Sequence, residues 1–85
     1  MDQFTYEVEC VSEGVANLVA HLVEVKFHNS AQIEGSKVTL PYAGPSPRDF
    51  NNYVTDLLLN HYYAAPAAIT RANLRFWKQV RDARS

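Results

Sequence analysis

Val15-Ala16-Asn17-Leu18-Val19-Ala20-His21-Leu22-Val23-Glu24-Val25-Lys26-Phe27-His28 is the stretch on which the fold turns, because two periods fit the same residues. Wound as a helix, it lines up Val15, Leu18, Val19, Leu22 and Val25 in one apolar stripe at i, i+3, i+4, i+7 and i+10. Laid out as a strand, it puts Val19, Val23, Val25 and Phe27 on one face with His21, and Ala20, Leu22, Glu24, Lys26 and His28 on the other. Valine loses rotamer freedom in a helix and packs well on a pleated surface, so the β-branched enrichment over 19–27 favours the strand. The stretch therefore reads as a strand, with the helix as the alternative.

The flanks are less ambiguous. Upstream, Phe4, Tyr6, Val8 and Cys10 alternate with Thr5, Glu7 and Glu9, the period of a half-buried strand over 4–11, and Ser12-Glu13-Gly14 follows as a turn. Downstream, 29–36 reads as a connection and 37–42 as a short strand. Pro41 has no N–H, so that strand ends there or lies at a sheet edge, and 37–41 becomes a candidate docking edge. Ala43-Gly44-Pro45-Ser46-Pro47 punctuates the chain. Ser46 is placed to cap a helix, Pro47 suits its first turn and Asp49 meets the positive end of its dipole. Phe50, Val54, Leu57 and Leu58 then recur at helical spacing, which predicts a helix over 47–62. Pro66 opens a second one over 66–83, with Ile69, Ala72, Phe76 and Val80 along one side. The predicted order β-β-β-α-α describes a small α+β domain: an antiparallel sheet of about three strands, then a C-terminal αα-hairpin packed on one face.

The 85 residues, 47% apolar and 20% charged, suit a single folded domain over 1–85. A chain this short has a narrow stability margin, which a second copy or another partner would widen. Cys10 is the only cysteine, so no internal disulfide forms and a reducing compartment is expected. No basic and then apolar leader follows Met1, and no run reaches the ~18 apolar residues of a membrane span, which points to the cytoplasm. Net charge is −1 but unevenly spread: residues 1–65 carry −5 and residues 66–85 carry +4.

The residue patterns of catalysis are missing. Gly14, Gly35 and Gly44 are isolated, so no phosphate-binding loop can be written. His21, His28 and His61 lack metal-ligand spacing, and as strand residues His21 and His28 project to opposite faces. Cys10 falls on the core face, and Glu7 and Glu9 alternate outward as solvating charges. No cofactor, metal or catalytic residue is expected, and the chain reads as a non-enzyme.

Ser30-Ala31-Gln32-Ile33-Glu34-Gly35 has the form S-x-x-x-E-G, which resembles the inhibitory motif of Fic AMP-transferases and their antitoxins. In that family the motif lies on a helix and its glutamate pairs with an arginine of the catalytic loop. The resemblance implies that role for Glu34. The family's catalytic H-x-F-x-[DE]-G-N-G-R loop does not occur here, so the resemblance implies a regulator rather than a transferase.

The strongest functional pattern is in the last predicted helix. Arg71, Arg75 and Lys78 fall at i, i+4 and i+7, Arg81 extends the stripe, and Phe76 and Trp77 interleave with it. Arginine and tryptophan dominate interface hot spots. These residues (Arg71, Arg75, Lys78, Arg81 and Trp77) are the candidate partner-binding set of a small protein-binding regulator: an inhibitor, adaptor, immunity-type or accessory protein that occludes a site on a larger partner. Phage-encoded inhibitors fit the size class. The alternative is a nucleic-acid-binding module using the same helix, which the acidity of residues 1–65 opposes.

Overall fold

Residues 13–27 form a helix, which corrects the strand expected there, in the computed structural model that describes residues 3–84. The elements are β1 (Phe4–Glu9), α1 (Glu13–Phe27), β2 (Gln32–Glu34), β3 (Lys37–Tyr42), α2 (Pro47–Asn60) and α3 (Pro66–Arg84). Ser12 is the N-cap of α1, its side chain accepting the Val15 N–H at 3.2 Å, so the residues that read as a turn are the start of a helix. His28 closes α1 in the left-handed conformation, with φ 60°, and its N–H bonds the Glu24 carbonyl. Propensity loses to burial here. Four valines in a helix cost about 0.5 kcal/mol each against alanine, whereas full burial of Val19 and Val23 contributes roughly 1.5–3 kcal/mol apiece. Ala16 and Ala20, also buried, bring the helix close to the sheet.

The sheet order is β1-β3-β2, and β3 pairs antiparallel with both neighbours. β1 and β2 therefore run parallel, joined through α1, with β3 inserted between them as in a split βαβ unit. The segment 29–36, expected as a connection, contributes β2 and the turn of a hairpin. Its two-residue loop has Gly35 at φ +62°, while Ser36 is not among the positive-φ residues, the pattern of a type II′ turn.

β3 is the central strand, which corrects the expected edge at 37–41. Pro41 is tolerated for a reason visible in the register. Thr5, its partner in β1, turns its N–H and C=O away from β3, so Thr5↔Pro41 is a pair without ladder bonds. The missing donor of Pro41 faces the other way, past the last β2 pair at Gln32↔Thr39.

Phe4, Tyr6, Val8, Val38, Leu40 and Tyr42 are buried on one face of the sheet, and all three helices pack there. Phe50 is the hub: its ring meets Tyr42 at 4.6 Å, Phe27 at 4.9 Å and Phe76 at 5.7 Å. Tyr6 crosses the core to α2, where its hydroxyl bonds Thr55 Oγ1 at 3.0 Å, and burial raises its pKa. Ser46 caps α2 as expected, accepting the Asp49 N–H at 3.3 Å. α2 stops at Asn60, two residues early, because Tyr62 adopts φ 57° and the N–H groups of Tyr62 and Tyr63 turn back to the Leu59 and Leu58 carbonyls, a Schellman ending. Among the described residues no helix is long and apolar enough to cross a membrane.

Candidate functional site

α3 begins at Pro66 and buries Ile69, Ala72, Phe76 and Val80 against the sheet. Ala68 and Ala72 have little bulk, so the helix lies close alongside β1. Arg71 and Arg75, one turn apart, emerge on that flank and line a cleft of about 220 Å³ with Ala68, Ala72, Glu7, Val8, Glu9 and Lys37.

The floor of this cleft is a strand edge. β1 has a neighbour only on its β3 side, so its outward main-chain groups need other partners. At Thr5 the side-chain amide of Gln79 supplies them. Gln79 Oε1 accepts the Thr5 N–H at 3.0 Å and Gln79 Nε2 donates to the Thr5 carbonyl at 2.8 Å, imitating the peptide group of an adjacent strand. By the two-residue alternation of the ladder, Glu7 and Glu9 also turn their N–H and C=O outward. Nothing in the described residues pairs with them, and that stretch of edge is open.

The charged side chains of the cleft divide unevenly. The Glu7 carboxylate pairs with Lys37 Nζ at 3.0 Å, and Glu9 accepts from the Ser36 hydroxyl at 3.0 Å. The hydrogen bond from Glu7 raises the pKa of Lys37, with Glu34 adding and nearby Arg75 opposing. Arg71 and Arg75 are exposed and make no ion pair with any described residue. The site thus offers two unengaged guanidinium groups beside unpaired backbone. It can hold an extended peptide by strand addition and clamp carboxylates on it.

The other expected site residues disperse. Lys78 is tied to Asp82 at 2.9 Å, a hydrogen bond that lowers the pKa of Asp82. Arg81 is exposed, about 80° around the helix from Arg71. Trp77, about 200° from Arg75, is half-buried against the core, and Phe76 is fully buried. Trp77 therefore lies away from Arg71 and Arg75, although it shares a side of the helix with Arg81, about 40° away. Cys10 is buried, its thiol pushed up to about 11 by burial and by Glu9. His21 lies on α1, while His28 caps that helix.

Ser30–Gly35, the segment resembling the Fic inhibitory motif, is a short strand and a turn, with Glu34 opposite Lys37 in the hairpin. The helix on which that family carries its glutamate is absent. A wider hollow of about 450 Å³ lies on the helix-free side of the sheet, lined by neutral groups such as Thr5, Gln32, Thr39 and Pro41 together with His28.

Sequence reasoning found Arg71 and Arg75 but missed the edge they flank and the glutamine that seals its start. Gln79 lies four residues after Arg75, where helical spacing alone already places it on the same flank. No known family model, curated protein or solved structure matches this chain.

Proposed function

We propose that this chain is a small non-enzymatic protein-binding regulator that occludes a site on a larger partner. An extended, acidic segment of the partner pairs with the open edge of β1 at Glu7–Glu9, and Arg71 and Arg75 hold its carboxylates. The observation that carries this reading is the pair of unengaged arginines beside unpaired main chain. Inhibitor, adaptor, immunity-type and accessory proteins are the kinds of regulator this reading covers. The open stretch is short, so main-chain pairing supplies register while the arginines supply charge recognition.

Affinity purification from the native host followed by mass spectrometry identifies the partner, and charge reversal tests the site. Arg71→Glu with Arg75→Glu should weaken binding strongly and flatten its salt dependence, while leaving the denaturation midpoint nearly unchanged because exposed charges contribute little to folding. Phe76→Ala should instead cost about 3–5 kcal/mol of stability, since its ring is fully buried. A charge-reversed protein that keeps its partner at undiminished affinity would sink the proposal. Binding to generic DNA and RNA at two salt concentrations separates the nucleic-acid alternative, for which affinity falls steeply with salt and needs no protein partner.

A further inference from the structure

We infer that the open edge of β1 takes an antiparallel strand of alternating charge: a carboxylate opposite Val8, and non-acidic residues opposite Glu7 and Glu9, with a cation at the latter. The inference deepens the edge-binding reading above and rests on it. The edge is closed at both ends. Gln79 occupies the N–H and C=O of Thr5, and at the other end the Tyr63 carbonyl accepts the Val11 N–H at 2.9 Å. The Cys10 N–H, by contrast, turns inward to the Ser36 carbonyl at 2.8 Å, which continues the alternation of the ladder. Between those ends, the groups left open are those of Glu7 and Glu9.

The length of that gap sets the direction. In an antiparallel pair, directly opposed residues exchange both bonds, so a core of about three residues satisfies Glu7 and Glu9 completely. A parallel strand bonds on the slant, to the residues on either side of its neighbour, and needs about five. Those five would reach positions beside Tyr6 and Cys10, where the Gln79 amide and the Tyr63 carbonyl close the edge.

The pleat then sorts the side chains. Val8 is buried on the side where α3 packs, and Arg71 and Arg75 line the cleft beside it. The residue opposite Val8 therefore projects toward two unengaged guanidinium groups. Its neighbours project to the other face, where Glu7 and Glu9 stand. Like charges directly opposite are destabilising, so acidic residues are disfavoured there. Glu7 already has Lys37 at 3.0 Å, whereas Glu9 accepts only from the Ser36 hydroxyl among the described residues, so the cation belongs opposite Glu9. The chain's own β1 has the inverse pattern. Glu7-Val8-Glu9 from a second copy would crowd carboxylates on one face and put valine where the arginines need a carboxylate. The edge thus discriminates against self-pairing while admitting a partner.

Short end-blocked threonine peptides that differ only in their core, titrated to about 10 mM against the isotope-labelled protein and followed by NMR, test this. A lysine-glutamate-threonine core should bind about tenfold more tightly than a triple-glutamate core, although the latter carries more negative charge. Its binding should shift the amide protons of Glu7 and Glu9 more than those of Tyr6 and Val8, which bond β3. A nitroxide at its N-terminal end should broaden signals near Glu9 rather than Thr5, and Arg71→Glu with Arg75→Glu should abolish the binding. Tighter binding of the triple-glutamate peptide, or broadening at Thr5, overturns this inference and leaves the arginines as a general carboxylate clamp, with the proposed function standing. An absence of shifts at Glu7 and Glu9 with every peptide overturns both.

Discussion

Removing the side-chain amide of Gln79 isolates the device that closes the start of β1. Gln79 makes two main-chain bonds to Thr5, at 3.0 and 2.8 Å, and its Oε1 also lies 3.4 Å from the Thr5 hydroxyl. An intramolecular hydrogen bond contributes about 1 kcal/mol net, but Thr5 is only partly buried and water can replace the lost partners. Gln79→Ala should therefore cost about 1–2 kcal/mol. Gln79→Glu should cost more, about 2–3 kcal/mol, because the carboxylate still accepts the Thr5 N–H but is set against the Thr5 carbonyl. Amide hydrogen exchange reads the effect locally. Each 1.4 kcal/mol is tenfold in an equilibrium constant, so protection of the Thr5 amide should fall by about tenfold in Gln79→Ala. Tyr6, whose main chain turns to Leu40 of β3, should keep its protection. Equal protection of Thr5 in parent and variant would refute the strand-mimic reading. The same variant lengthens the open edge from Glu7–Glu9 to Thr5–Glu9, so a partner that binds by strand addition should bind more tightly to it.

Three further outcomes follow from particular contacts. Ser46→Ala removes the acceptor of the Asp49 N–H and should lower stability by about 0.5–2 kcal/mol in chemical denaturation, with no shift in midpoint if the cap is idle. Tyr62→Gly should stabilise by up to about 1 kcal/mol, because Tyr62 holds a left-handed φ of 57° that glycine adopts freely, and its side chain is 84% exposed with little packing to lose. A lower midpoint for that variant would mean that the ring is held by contacts. Cys10, with its thiol raised to about 11, should resist alkylation near pH 8 in the folded protein and react on unfolding. Because the folded thiol holds its proton more tightly than the unfolded one, whose pKa is ~8.5, its contribution to stability is intact below that pH and declines as pH rises toward 11. Fast native labelling at pH 8 would contradict the burial of Cys10, which directly follows β1.

The two C-terminal helices were legible because each carries local signals that agree with its periodicity: Ser46-Pro47 and Asp49 at one start, Pro66 at the other, and buried residues at three- and four-residue intervals after each. Strands β1 and β3 were legible for the same reason at period two, although which of them sat at the edge was not. That depends on where the chain returns, and β2 is a three-residue strand whose residues are all exposed, too short to carry a period. α1 was misread through a conflict between levels. Its valines argue for a strand locally, while Ser12 as a cap and the line Ala16, Val19, Ala20, Val23 argue for a helix once there is a sheet to pack against. The second apolar line, Val15, Leu18, Leu22 and Val25, made the ambiguity worse, since a helix with one apolar side would have shown its period plainly. Residues 19–27 looked like a strand because α1 is apolar toward the core and also carries exposed apolar residues, Leu18 and Val25, outside it. The candidate site was half legible on similar grounds. Arg71 and Arg75 follow from helical spacing, but their separation from Lys78 depends on Asp82, and their significance depends on an edge that only the pairing of β1 with β3 exposes. Charge patterns along a helix can be read from one segment, whereas an unpaired backbone is a property of the whole sheet.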